Sequence, residues 1–248
     1  MVFRKKAFNH YDTFFCSGEH HKKELEQTEK LYKLNKIQKV KFGYNKIDEL
    51  LKNSIKSNNE KNQNSNFTII VSPSWGENCI LEKFGERLLS VLKNSNWKII
   101  IRPHPDTIRK FKKQYIRLKN KYQSYFDFEE KISNMESFYN SSIMITDWSG
   151  AAFEFAFGLE KPVIFIDVPK KINNPDYNLY ETTPIEISIR KQIGEVISIN
   201  EISNINQRIE YVFTSRKSYK EKIRKIRKKV LYNIGNSSKV GANYINQL

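Results

Sequence analysis

Apolar and polar positions along the chain fall into three regimes: mixed before residue 52, regularly alternating from 67 to 168, and helical in period beyond 200. In the middle regime the runs FTIIVSP (67–73), WKIIIRPHP (97–105), Ile143–Thr146 and Val163–Asp167 are short and apolar. Such runs predict strands buried on both faces, as in a parallel sheet covered by helices. Between them, ILEKFGERLLSVLKN sets Ile80, Leu81, Phe84, Leu88, Leu89 and Leu92 at helical spacing. A basic helix over 107–121, an acidic loop with a short helix inside Phe126–Tyr139, and an Ala/Phe helix after Gly150 complete the series. A weaker strand, GEVISI (194–199), follows. The pattern predicts an α/β fold, a Rossmann-like doubly wound parallel sheet. Right-handed crossovers then bring the loops after each strand, SPSWGEN, RPHP and TDWSG, to one edge of the sheet, where ligands bind in such folds.

The flanks read differently. Residues 11–18 predict a short strand and a Ser-Gly turn, followed by a charged helix from Glu19 to about Leu34, a strand at Val40–Phe42, a turn at Gly43 and a helix starting near Asp48. A strand so near the N-terminus, with nothing before it to pair with, reads as the remnant of a larger sheet whose remainder lies upstream. The expected organisation is a remnant of an N-terminal domain and interdomain segment (1–51), a linker or exposed loop (52–66), a nucleotide-binding domain (67–200) and a C-terminal helical segment (201–248). Residues 52–66 are rich in Asn, Ser and Lys without hydrophobic period. Residues 169–192 form a loop too long for a simple connector, expected to be functional or to cover a ligand. Helices are predicted over Glu201–Phe213, Arg216–Ile234 and Ser237–Gln247.

Charge narrows the partners. Lys and Arg outnumber Asp and Glu by 43 to 27, for a net charge of +16, which bears on partners and solubility and not on fold. Residues 216–229 hold nine basic side chains and one acidic, with Tyr219, Ile223, Ile226, Val230 and Ile234 on one face, an amphipathic basic helix. A chain rich in Lys, Asn and Ile throughout also accounts for part of the excess without any function. No nucleic-acid motif or regular basic-aromatic array is present, so nucleic acid is not an expected partner. No run of 18 apolar residues exists and the first residues lack a signal-peptide pattern. Cys16 and Cys79 are far apart without metal-ligand spacing, which favours a reducing cytosol and structural thiols. Of four histidines only His104 has a suggestive context, and neither a metal nor a cofactor is expected.

Two segments carry chemistry. Arg102–Pro105 ends a buried strand with a guanidinium and an imidazole held between prolines. Arg102 suits a ligand phosphate, and His104 could give a proton or hydrogen bond to a leaving phosphate; a capped strand end with a backbone-bonded histidine is the alternative. TDWSGAAFEF offers Ser149, the Gly150 backbone and the first helical N–H groups to an anion, or else Asp147 or Ser149 is an ordinary helix cap. Glu154, one turn in, could face the same cleft and bind hydroxyls. The loop holding Ser72 and Ser74 adds further backbone N–H groups, and three such loops on neighbouring strand ends favour one cleft.

In order and spacing, FCSG (15–18), FGYNKID (42–48), IIIRPHP (99–105), ITDWSGAAFEFAFGLEKPVIF (145–165) and IGEVI (193–197) resemble the CDP-glycerol glycerophosphotransferases, the teichoic-acid polymerase and primase type. The resemblance covers about residues 12–200 and implies the C-terminal, nucleotide-binding half of a glycosyltransferase-B fold. It implies that His104 with Arg102 meets the pyrophosphate of a CDP-activated donor, that Ser149 and the Gly150 backbone form the other wall, and that Asp147 orders the turn. Glu154 stands where that family usually has Asp, Gly150 where it commonly has a second Ser, and Asn45-Lys46 where it has Pro-Arg. The implied reaction is attack by an acceptor hydroxyl on the β-phosphate of CDP-glycerol, with release of CMP. The implied acceptor is an anionic or lipid-linked cell-surface polymer such as teichoic acid or capsule. A cytoplasmic location, peripheral at the anionic inner face of the plasma membrane, would suit the basic face. The N-terminal domain that would hold the acceptor and a histidine base is not evident in this chain; His10, His20 and His21 stand in the wrong context to replace that base. A partner chain supplying such a domain is therefore expected, and a non-catalytic nucleotide-binding or scaffold subunit is the alternative reading.

Overall fold

The computed structural model describes residues 3–60, 67–131, 133, 135–172 and 174–248, with the side chains of 55–60 left out. In chain order the elements are β1 (Thr13–Cys16), α1 (Glu19–Tyr32), β2 (Gln38–Lys41), α2 (Asn45–Glu60), β3 (Thr68–Val71), a π-helical turn (Ile80–Phe84) running into α3 (Gly85–Leu92), and β4 (Lys98–Ile101). Next come α4 (Pro105–Lys110), α5 (Lys112–Tyr122), β5 (Asp127–Phe128), α6 (Glu136–Asn140), β6 (Ile143–Thr146), α7 (Ala151–Leu159) and β7 (Val163–Asp167). The chain ends with α8 (Ile185–Ser188), α9 (Arg190–Ile193), β8 (Gly194–Ser198), α10 (Ile205–Thr214), α11 (Arg216–Val230) and α12 (Ser237–Ile245).

Six strands form one parallel sheet in the order β5-β4-β3-β6-β7-β8. The sheet grows outward from β3 in one direction and from β6 in the other, so the chain reverses direction between these neighbours. That is the strand order of a dinucleotide-binding fold, and the crevice beyond the carboxyl ends of the two central strands is its binding position. β3 and β6 are buried along their whole length, which is why they read as unbroken apolar runs. Helices on both faces close the core. On one of them α2 meets α7 so closely that a Cβ on Gly158 would lie 2.6 Å from Leu50 Cβ. No helix among the described residues is long and apolar enough to cross a membrane.

β1 and β2 pair in parallel as a separate two-stranded sheet. The C-terminal segment fastens this small unit to the large one. Tyr232 N donates to Ser17 O at 2.9 Å, and Asp48 accepts from Gly235 N at 2.6 Å and Ser237 N at 3.0 Å. α11 packs back against α7, where buried Arg227 donates to the Phe157 carbonyl at 2.6 Å and pairs with Glu160 at 2.9 Å. Arg224 reaches the same carboxylate at 2.7 Å. Burial opposes ionisation of Glu160, but the two arginines outweigh it and hold its carboxyl below the ordinary value.

Several boundaries differ from the sequence reading. The polar stretch expected to open as a linker at residue 52 continues α2 to Glu60, and that helix begins at Asn45 in place of Asp48; residues 61–66 lie outside the described residues. The first part of the helix packs on α7 through Leu50, and Asn53 donates to Tyr139 Oη at 3.4 Å. The amphipathic helix at Ile80 starts as a π-helical turn. The basic helix breaks at Phe111 into α4 and α5. The two-residue edge strand β5 has no apolar run to announce it and exists because Ile100 and Ile101 offer it a register. The long loop contains α8 and α9, and the helix expected to reach Ile234 stops at Val230.

Arg227 gives this tie a measurable strength. Arg227→Met keeps the aliphatic stem but removes charge-assisted bonds to Phe157 O and Glu160, and should lower unfolding free energy in urea by about 2–3 kcal/mol. A loss below about 0.5 kcal/mol, the range of ordinary surface substitutions, would show that α11 is not held through this residue.

Candidate functional site

Three strand ends meet at the reversal point between β3 and β6, and one carboxylate organises them. Asp147, 1% exposed, follows β6 and accepts hydrogen bonds from Ser74 N at 2.7 Å and Ile80 N at 3.1 Å, both on the segment after β3. Thr146 Oγ1 donates to Ser72 O at 2.7 Å in the same seam. Behind it the Trp148 indole donates to Val168 O at 2.9 Å and lies 4.0 Å from the Arg190 guanidinium. The turn that launches α7 is thus fixed from three sides.

The resulting cleft has a volume of about 530 Å³ and is lined by Ser72, Arg102, His104, Ser149, Gly150 and Glu154, together with Lys46, Ala151, Met135, Phe138 and three prolines. Six of the eight residues singled out from sequence are therefore brought together. Asp147 and Ser74 are not on its surface. Asp147 spends both carboxylate oxygens on backbone amides, and Ser74 Oγ lies 3.1 Å from Cys79 Sγ. Their role is to shape the wall, and neither has a free group for a ligand. Cys79 is no nucleophile, since burial pushes its thiol up to about 11; Cys16 is held likewise.

His104 caps α4: its Nδ1 accepts from Asp106 N at 3.0 Å. The acceptor bond fixes the neutral tautomer, with the proton on Nε2. Burial lowers the His104 pKa, Lys171 and Lys110 add to this, and Asp106 opposes it. The reading of His104 as a cap bonded to backbone is met at Nδ1, which leaves Nε2 as the donor nitrogen. Arg102 is 6% exposed; it pairs with Glu129 at 3.0 Å, donates to Ser137 Oγ at 3.1 Å and lies 5.6 Å from the Phe138 ring centre. It is a fixed positive charge under the cleft. Opposite, Ser149 Oγ accepts from Ala151 N at 3.3 Å in a local turn just before the helix, whose N-cap is Gly150, and the start of α7 lines the cleft. A Cβ on Gly150 would meet nothing within 4 Å, so the space before this helix start is open.

Glu154 is engaged by the residues around Gly43. Tyr44 Oη donates to it at 2.7 Å and Lys46 Nζ pairs with it at 2.6 Å. Burial and the Glu154 carboxylate both raise the Tyr44 pKa. Lys46 adds a second cation to the cleft. At the mouth, Lys110 Nζ and Lys171 Nζ lie 3.9 and 4.0 Å from the Trp75 ring centre, and Lys171 also donates to Trp75 O at 2.8 Å. The Trp75 ring is 6.0 Å from that of His104. The long loop thus reaches the site through Lys171. Sequence reasoning assigned no role to Tyr44, Trp75, Lys110 or Lys171, although Tyr44 stands inside FGYNKID, Trp75 inside SPSWGEN, Lys110 just beyond RPHP and Lys171 in the long loop. His20 and His21, set aside from sequence, line a second cavity that shares Gly150 and Glu154 with the first.

The chemistry of these groups gives two tests. Asp147→Asn offers one acceptor oxygen and turns an NH₂ toward the other backbone N–H, so unfolding free energy should fall by about 2 kcal/mol; an unchanged value would detach Asp147 from the seam. His20, His21 and His104 all fold with pKa values below the ordinary imidazole value, chiefly through burial. Their contribution is complete above an unfolded pKa of about 6.5 and is lost as pH falls, because the unfolded chain takes up the protons. Glu24, whose carboxyl burial pushes up to about 7, acts in the opposite sense over the same window, so the His104 contribution is read as a difference: from pH 7.5 to 5 the melting temperature of wild type should fall relative to that of His104→Asn, which keeps a capping acceptor.

The geometry has counterparts among known proteins. The archaeal UDP-GlcNAc 2-epimerase of Methanocaldococcus jannaschii, solved with UDP-GlcNAc and UDP, superposes with a TM-score of 0.57 at 16% identity, covering 96% of this chain and 61% of that one. An α,α-trehalose 6-phosphate synthase from Burkholderia multivorans gives 0.55 at 7% identity over 96% of this chain and 58% of its own. At these identities the likeness is one of fold, the glycosyltransferase-B type. In sequence, the minor teichoic acid biosynthesis protein GgaB of Bacillus subtilis (strain 168) is 28% identical over 172 residues, 57% of this chain and 18% of that protein. The chain thus spans under a fifth of this curated relative and about three-fifths of the solved structures. Residues 3–245 match the family described as CDP-Glycerol:Poly(glycerophosphate) glycerophosphotransferase, and the chain belongs to that family.

Proposed function

We propose that this chain binds a CDP-activated donor in the cleft at the β3–β6 reversal and takes part in transferring glycerol phosphate, or a related group, to a hydroxyl of a cell-surface polymer such as teichoic acid or capsule. The observation that carries the reading is the arrangement of His104 and Arg102 on one strand end opposite the start of α7 on the next, around a cleft open to an anion. A diphosphate there meets backbone N–H groups and a helix dipole on one side and fixed cations on the other. In this reading the acceptor oxygen bonds to the β-phosphorus, the bond from that phosphorus to the oxygen bridging the two phosphates breaks, and CMP leaves with the bridging oxygen. The acceptor hydroxyl gives its proton to a base, which this reading places on the facing N-terminal domain, and CMP leaves as an anion whose phosphate is stabilised by hydrogen bonding from His104 Nε2. Arg102 and Lys46 stabilise the charge through their field, so positioning and electrostatics carry the catalysis.

The exposed lysines and arginines of α11 suit an anionic surface, and we place the protein at the inner face of the plasma membrane, with a phosphate-rich or lipid-linked acceptor. A facing N-terminal domain supplied by a partner chain belongs to the same reading. Support for the polymer comes from the family and from the name of the Bacillus subtilis relative.

His104→Asn tests the assignment, because Asn keeps the capping acceptor while removing the imidazole donor. Release of CMP from CDP-glycerol should fall by about 10²–10⁴ with little change in melting temperature at pH 7.5, whereas His104→Ala should lose about 1 kcal/mol of stability as well. Undiminished release in His104→Asn would remove His104 from the chemistry. CDP binding by the wild-type chain without any CMP release would make it a nucleotide-binding subunit.

A further inference from the structure

Two buried carboxylates act on the π-helical turn at Ile80–Phe84. Asp147 takes the first amide of the turn, Ile80 N, at 3.1 Å. Glu82, inside the turn and 6% exposed, is not among the residues lining the cleft. Its Oε1 accepts from Thr107 Oγ1 at 2.5 Å, and Thr107 is itself 1% exposed. The Glu82 backbone carbonyl accepts from the Gln114 side chain. The segment between β3 and α3 is thereby joined to α4 through a side chain and to α5 through a carbonyl. A π turn is rare in proteins and recurs at functional sites.

Glu82 Oε2 is buried without a hydrogen-bond partner among the described residues. Burial raises the Glu82 pKa and the Asp147 charge adds to the rise, while the bond from Thr107 and the backbone amides of Glu82 and Gly76 oppose it. A carboxyl in such a place is costly, and an apolar side chain of similar length would fill the space without that cost. What the carboxyl adds is a directed bond to Thr107.

That bond acts on a helix that cannot orient itself. α4 spans only Pro105–Lys110, far too short to be stable alone. Its ion pairs are internal, from Arg109 and Lys110 to Asp106. Thr107 stands in its first turn, where Thr107 N donates to His104 O at 2.9 Å and His104 Nδ1 accepts from Asp106 N at 3.0 Å. The direction of the His104 ring is therefore set by this turn. Among the described residues, the buried side-chain bond from the turn to another element is the one to Glu82.

We infer that Glu82 is a positioning residue, which through Thr107 holds α4 at the angle that presents His104 to the cleft. The use made of that ring rests on the reading of the cleft as a diphosphate site; the coupling of Glu82 to the ring does not.

Imidazole nuclear magnetic resonance on the 248-residue chain, together with CDP binding, tests the coupling. In the wild type at pH 7.5 the His104 ring should show one neutral tautomer, with its proton on Nε2. A loosened first turn frees Nδ1 from Asp106 N, so that either nitrogen can carry the proton. Thr107→Val keeps the side-chain shape without the hydroxyl, and Glu82→Met keeps the length without the carboxyl. Each should raise the share of the other tautomer about threefold or more and weaken CDP binding about tenfold, the range of one lost hydrogen bond. Thr107→Ser, which keeps the hydroxyl, should restore the wild-type pattern. The double variant should go no further than the larger single change, since both remove the same contact. A role in stability alone would lower the melting temperature and leave the ring pattern as it is. Unchanged His104 signals in folded Thr107→Val, or changes that add in the double variant, would overturn the inference. Altered His104 signals with undiminished CDP affinity would uphold the positioning and count against the diphosphate reading instead.

Discussion

The structure depends on what happens where the sheet reverses. β3 and β6 are neighbours whose crossovers run to opposite sides, and the gap this leaves at their carboxyl ends is bridged by the Asp147 carboxylate, which binds two backbone amides of the facing segment. A buried carboxylate is costly unless such bonds satisfy it. Satisfied, it fixes the spacing between the segment after β3 and the turn before α7, and so the width of the cleft.

Everything chemically distinctive hangs on that frame. His104 is oriented by its capping bond to Asp106 N, Arg102 by Glu129 and Ser137, and the Lys46–Glu154–Tyr44 contacts bring the strand-to-helix turn after β2 against α7. Glu154, held in this way, lines both the cleft and the neighbouring cavity.

Much of this was legible from the chain alone because parallel core strands announce themselves. Ile143–Thr146 and Val163–Asp167 are predicted with their observed ends, since burial on both faces leaves no polar position to blur them. The convergence of RPHP, SPSWGEN and TDWSG followed from crossover handedness. What the chain hid were features set by tertiary packing. Asp147 read as a cap or as the group that orders its own turn, and local spacing could not show that its partners are Ser74 N and Ile80 N on the segment after β3. The pairing of β5 depends on its neighbour β4, and α2 runs on past residue 52 without a hydrophobic period to announce it. His20 and His21 could not be connected to Gly150 because some 130 residues separate them and only tertiary contacts, from the C-terminal segment and from the long loop, bring the small sheet into place.

The central claim is that the reversal point holds a nucleotide diphosphate. A crystal structure of the chain with CDP tests it most directly. The account predicts the diphosphate between the Arg102–Pro105 strand end and the Ser149–Ala151 turn, within hydrogen-bond distance of His104 Nε2 and a backbone N–H at the start of α7. A nucleotide bound elsewhere on the chain, or an empty cleft at saturating CDP, would contradict it.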